Sequence, residues 1–142
     1  MGTRLALADF TLDQVRELNE RYGRPLQGPS EIAQFFDLLS GQPYLTRRAL
    51  DELVRDGHTL SDMVRLADQD EGLFGDHLRR LMVALSNDPV LADAIRALLA
   101  EQSIAGDTFY RLRAGGIVSG VTLAEAGFRC RIYETYLRRH LQ

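Results

Sequence analysis

Glycine and proline punctuate this chain so regularly that only short helices fit between them. The breaks fall at Gly23 with Pro25, Gly28-Pro29, Gly41 with Pro43, Gly57, Gly72 with Gly75, Pro89 and Gly115-Gly116. Proline cannot continue a helix, and glycine weakens a helix interior by about 1 kcal/mol. Between the breaks, apolar residues recur at the three-to-four-residue spacing that gathers them on one helical face. The fold class that follows is mainly α, built from short packed helices.

Caps and apolar faces place the helices. Thr11 is an N-cap with Gln14 completing a capping box, and Phe10 can staple onto Val15; this first helix runs through Leu18 and stops at Gly23. Gly28-Pro29-Ser30 turns into a second helix from Glu31 to about Leu39, with Ile32, Phe35, Phe36 and Leu39 inward. Pro43 opens a third to about Arg55, closed by Gly57. Thr59 caps a fourth, with Asp62 near its positive end and Met63, Val64 and Leu66 inward. A fifth spans about Asp76 to Leu85. Asp88 caps a sixth that Pro89 opens and that runs through Ala100. Asp107 caps a seventh, Thr108 to Arg113.

Both ends change period. Leu5 and Leu7 alternate with Arg4 and Ala6 as a short opening strand would. Ile117-Val118 reads as a strand, residues 119–127 as a turn-bearing excursion, and Phe128-Arg129-Cys130-Arg131-Ile132 as a second strand before a last helix, Tyr133 to about His140. With a boundary at Gly72 to Gly75, residues 1–72 make an opening strand and a four-helix, lid-like bundle. Residues 73–142 make three helices, a β-hairpin wing and a C-terminal helix, the order of a winged helix.

All 17 basic residues are arginine. Without lysine, the chain holds no P-loop lysine, Schiff-base lysine or kinase ATP-pairing lysine. A single cysteine allows no internal disulfide and fits a reducing compartment. No apolar run reaches the ~18 residues of a membrane span, and no signal-peptide core follows Met1, so a cytoplasmic location is expected. The net charge of −3 is uneven, with 8 Arg against 14 acids in residues 1–76 and 9 against 6 in residues 77–142.

Reactive constellations are sparse. His58, His77 and His140 match no metal-ligand spacing, and Asp68-x-Asp70 with Gly72 misplaces the glycine of a calcium loop and ends it on Arg79. Those acids read as a solvated helix end, and Cys130 as a small buried hydrophobe. Gly115-Gly116 with Gly120 follows a helix, not a strand, so it is a C-cap and hairpin start and not a phosphate cradle. No nucleophile and base can be assembled, and no catalytic or metal residue is assigned. The candidate basic surface is Arg111 and Arg113 on the seventh helix with Arg129 and Arg131 on the outer face of the wing strand. Read as a winged-helix DNA-binding regulator, the helix pair would meet bases and the wing pair phosphate.

An ordered series of motifs carries a family resemblance. It comprises Leu7-Ala8-Asp9-Phe10-Thr11 with Val15 and Leu18-Asn19, then Gly41-Gln42-Pro43-Tyr44-Leu45, then Gly75-Asp76-His77-Leu78-Arg79-Arg80. It continues with Leu112-Arg113-Ala114-Gly115-Gly116-Ile117-Val118 and ends on Phe128-Arg129-Cys130-Arg131-Ile132-Tyr133-Glu134 with Tyr136. Over nearly its whole length the chain resembles the C-terminal region of bacterial AAA-like, STAND-type P-loop ATPases, which are attached to effector and repeat domains.

The resemblance implies a non-catalytic regulatory module, a helical lid and winged helix that sense nucleotide state and relay it to the NTPase core and neighbouring domains. ATP or ADP would bind only with that core, homo-oligomers are expected, and signalling or defence is the implied setting. By the same resemblance Gly41 and Pro43 match a nucleotide-facing G-x-P motif, and His77 is the candidate phosphate sensor although its Asp-His-Leu context departs from the Met-His-Asp pattern. The Gly41–Tyr44 segment should then lie at the surface, with the start of the third helix open to an anion. The alternatives are the DNA-binding regulator above and a stand-alone protein-interaction adaptor working through the acidic helical half.

Overall fold

Thr11 begins the first helix with both halves of a capping box: its hydroxyl accepts from the Gln14 N–H at 3.2 Å, and Gln14 Oε1 accepts from the Thr11 N–H at 2.9 Å. The structure, a computed structural model, describes residues 8–55 and 58–141. The expected strand at Leu5 to Leu7 and the closing Gly57 lie outside the described residues. The chain divides into two compact units between Met63 and Val64.

In the first unit, α1 (Leu12–Arg21) buries Val15 and Leu18. α2 (Gly28–Leu39) starts three residues earlier than the expected Glu31, so the sequence Gly28-Pro29-Ser30 is its first turn and not a preceding loop. The physical reason is that proline breaks helix interiors but suits a first turn, where its missing N–H would have no helical partner. Its buried face is Ile32, Phe35, Leu38 and Leu39, whereas Phe36 is half-buried. Between α1 and α2 the buried Asn19 pins the loop like a rung of sheet, donating to the Leu26 carbonyl at 3.1 Å and accepting from its N–H at 2.9 Å. α3 (Pro43–Arg55) contributes the fully buried Leu45, Ala49 and Leu50. α4 (Leu60–Leu66), which contains the boundary between the units, is capped by the Thr59 hydroxyl, which accepts from the Asp62 N–H at 3.2 Å. Leu66 is 40% exposed, and Ala67 takes the inward place expected of it.

The second unit contains α5 (Gly75–Ser86), α6 (Pro89–Leu99), α7 (Gly106–Ala114), β1 (Val118–Ser119), one turn of 3-10 helix (Leu123–Glu125), β2 (Gly127–Phe128) and α8 (Arg131–Leu141). Leu78, Ile95, Phe109, Leu112 and Leu137 form its fully buried centre. Asp88 caps α6 as expected, accepting from the Leu91 N–H at 3.3 Å. Asp107 does not cap α7. That helix begins at Gly106, so the carboxylate sits in the first turn, at the positive end of the helix dipole.

The strands are antiparallel, with Val118 opposite Phe128 and Ser119 opposite Gly127. They are shorter than the alternation suggested. Arg131 and Ile132, expected on a strand, belong to α8. The inward set Ile132, Tyr133, Tyr136 and Leu137 repeats with helical spacing, and burying it outweighs a five-residue alternation that ends where this set begins. Among the described residues the chain is thus mainly helical, with eight α-helices and one two-stranded hairpin. No helix among them is long and apolar enough to cross a membrane.

Candidate functional site

The segment from Gly41 to Tyr44 is fixed by its own neighbours. The Phe10 N–H donates to the Gly41 carbonyl at 2.7 Å, and a Cβ on Gly41 would stand 2.0 Å from the Phe10 carbonyl oxygen. Gly41 also has φ +71, so glycine is required twice over. Arg47 lies over the Phe10 ring, 5.4 Å from its centroid, closing this strap. Gln42 is buried, and its Oε1 accepts from the Leu45 N–H at 2.7 Å. It is therefore a side-chain cap at the residue before Pro43, a role that sequence reasoning missed because glutamine is uncommon there.

The segment is consequently less open than expected. Gly41 and Gln42 are buried, Pro43 is half-buried, and Tyr44 is 50% exposed and does not pack inward. One of the few free N–H groups at the start of α3 is already used by Gln42. Pro43 and the outer side of Tyr44 are what this segment offers to a ligand.

His77 lies in the second unit, on α5. Its Nε2 is 2.7 Å from the Tyr133 hydroxyl, and the two rings stack with centroids 5.7 Å apart. Tyr133 is buried. Burial pushes the His77 pKa below its usual 6.5, and the charges of Arg80 and Arg129 lower it further. The neutral imidazole is thus the favoured form. The histidine holds α5 to α8 and at the same time faces two guanidinium groups.

The four candidate arginines do not form one face. Arg111 pairs with Asp88 at 2.5 Å, tying α7 to the cap of α6. Arg113 donates to the carbonyls of Gly120 at 3.1 Å and Val121 at 3.0 Å and lies over the rings of Phe109 and Tyr110, so it braces the turn after β1. Arg129 follows β2, its Nη1 2.8 Å from where a Cβ on Gly116 would be. Arg131 is the exposed first residue of α8, so the pair expected side by side on a strand is split between a bend and a helix.

Asp68 and Asp70 have structural work that the sequence did not disclose. Arg139 on α8 donates to the Asp68 carboxylate at 2.6 Å and to its carbonyl at 2.8 Å. The Tyr136 hydroxyl donates to Asp70 Oδ1 at 2.9 Å, and Arg79 donates to the Asp70 carbonyl at 2.6 Å. Burial and the Asp70 carboxylate push the Tyr136 pKa up to about 12. These acids are part-buried anchors and not a solvated helix end. Gly75 belongs to the same tight turn, since a Cβ there would stand 2.0 Å from the Asp70 carbonyl oxygen. Their signal was a partnership between residues about seventy positions apart, which no local pattern encodes.

Cys130 is buried, as a small apolar residue would be. Among the described residues, no group of three or more His, Cys, Asp or Glu side chains is placed to hold a metal ion. Against known proteins, a family model described as an AAA-like domain matches residues 1–139. No curated protein and no solved structure matches the chain.

Proposed function

Because the chain belongs to the AAA-like domain family, we propose that it is a non-catalytic, regulatory part of an AAA-like ATPase of the STAND type. Residues 1–72 act as a helical lid and residues 73–142 as a winged helix, reading nucleotide state and passing it to neighbouring domains by rigid-body movement. The observation that carries this reading is the family match over nearly the whole of a chain that contains no lysine. A P-loop grips phosphate with a lysine, so the nucleotide-binding core has to lie outside these residues. The order of three helices, an antiparallel hairpin and a closing helix supports the winged-helix assignment.

Within the lid, Pro43 is the position that faces nucleotide, because Gly41 is occupied by Phe10. His77 would report on the nucleotide through Tyr133 and α8. The test has two parts. The purified chain should show no ATP turnover above a mock purification, and turnover that co-purifies with it through successive columns would overturn the reading. In the ATPase that carries this region, Pro43→Ala should weaken ADP retention by more than its small stability cost of about 0.4–1 kcal/mol explains. Unchanged ADP retention would make Pro43 a boundary between two helices and nothing more.

A further inference from the structure

Among the described residues neither outer edge of the hairpin in the second unit has a strand beside it, and the β2 edge is the one that borders a hollow. The Arg129 N–H donates to the Ile117 carbonyl at 2.9 Å, which makes that pair a bonded one in the ladder. Bonded and non-bonded pairs alternate in an antiparallel ribbon, so Phe128, opposite Val118, is non-bonded. Its N–H and C=O therefore point away from β1, toward the open side. Gly127 and Phe128 are half-buried and both line a hollow beside this edge.

Across from Leu123 and Ala126, just before that edge, runs the link between α6 and α7. Ser103 and Ile104 have no regular secondary structure, and neither makes a backbone hydrogen bond with another described residue. Beside this link lies a groove of about 730 Å³ lined by Leu98, Ser103, Ile104, Leu123 and Ala126, the last of them the residue that enters β2. It continues into a second hollow of about 450 Å³ that reaches Phe128 and shares Leu98, Glu101 and Ala126 with the first. Leu123 on the rim is 40% exposed. Glu101, held at φ +58, stands at both hollows without an ion pair among the described residues, whereas Glu134 nearby is paired with Arg138 at 3.0 Å.

We propose that this groove binds an extended peptide segment of a partner protein, which adds a strand to β2. The segment carries an aliphatic side chain for the Leu98–Ile104–Leu123 wall and a neighbouring lysine or arginine for Glu101. Main-chain groups that await partners on both walls favour an extended strand over a helix, whose backbone is already satisfied. The lone acid at the rim sets the sign of the partner's charge. This inference rests on the hairpin and its groove, and it stands whether or not the chain reads nucleotide.

The probe is the peptide acetyl-Thr-Val-Arg-Val-Thr-amide, titrated into the isotope-labelled full chain by NMR. The expected result is shifts centred on Ser103, Ile104, Gly127 and Phe128, with the Phe128 amide at least tenfold slower to exchange its hydrogen. Methylating either alternating set of peptide nitrogens should weaken binding, by at least tenfold for the set that faces Phe128. Glu101→Gln, an exposed change that leaves the fold alone, should weaken the arginine peptide about threefold and leave a norleucine version unchanged. The proposal is overturned by an absence of shifts at millimolar peptide, or by methylated peptides that bind as tightly as the parent. It is also overturned if Phe128 protection grows with protein concentration alone, which would make a second copy of the chain the occupant.

Discussion

Arg96, in the last turn of α6, donates its Nε–H to the carbonyl of Leu141, the last residue of α8, at 2.9 Å. Arg138, in the last turn of α8, reaches back to the carbonyl of Leu99, the last residue of α6, at 3.4 Å. Two helix C-termini thus meet, each with unpaired carbonyls and partial negative charge, and each is neutralised by an arginine from the other. Arg96→Ala should cost about 1 kcal/mol in urea denaturation, and Arg138→Ala less, because its bond to the Leu99 carbonyl is longer. No loss in either variant would show that the crossing is held by apolar packing alone.

Gly41 and Gly28 both have positive φ, at +71 and +89, but only Gly41 has a backbone oxygen where its Cβ would go. Gly28→Ala should cost about 1–2 kcal/mol from backbone strain. Gly41→Ala adds a clash with Phe10 and should cost about 2–4 kcal/mol. The check is the melting temperature of the two variants side by side. A Gly41→Ala protein as stable as Gly28→Ala would mean the Phe10 strap is free to move aside.

Thr46 on α3 is fully buried, and its hydroxyl has no hydrogen-bond partner among the described residues. A buried hydroxyl without a partner costs about 1–3 kcal/mol. Replacing it by a methyl of the same shape, as Thr46→Val does, should therefore raise stability by about 1 kcal/mol. Calorimetry decides this, and a loss of stability would reveal an acceptor that the hydroxyl reaches in solution.

His77 sets a pH dependence whose sign follows from its environment. Its pKa is lowered in the folded protein, by burial first and then by Arg80 and Arg129. The unfolded chain takes up a proton near pH 6.5 that the folded protein refuses until lower pH. Stability from the neutral imidazole is therefore complete above about 6.5 and is lost as pH falls toward the folded value. Melting temperature should drop between pH 7.5 and 5.5, and His77→Gln should flatten that part of the profile. Parallel profiles for both proteins would dissociate the effect from His77.

Local signals in the sequence were enough to locate the helices. The Thr11 box, the Asp88-Pro89 start and the Gly115 stop each act within a few residues of themselves, and each appears in the structure as read. The misreadings occurred where two periods overlapped or where the partner was distant. Arg129 to Ile132 satisfied strand alternation, but the helical set beginning at Ile132 buried more apolar surface. Arg111 and Arg113 looked like free charge because Asp88 and the carbonyls of Gly120 and Val121 are brought to them only by folding. Gly41 was legible as a helix stop, but what makes glycine obligatory there, the backbone of Phe10, lies thirty-one residues away.

The fastening of Asp68 and Asp70 to α8 has a mechanical side. Arg139 and Tyr136 grip the first residues of the second unit, and α8 supplies its last described ones. Chain arriving and chain leaving are therefore lashed to a single rod. Tension drawn along the polypeptide through this unit loads those polar ties in shear before it strains the apolar centre. A pull of that kind would strip Asp68 and Asp70 from α8 while Leu78 and Ile95 remained packed, and the unit would lengthen in a small first step ahead of its rupture.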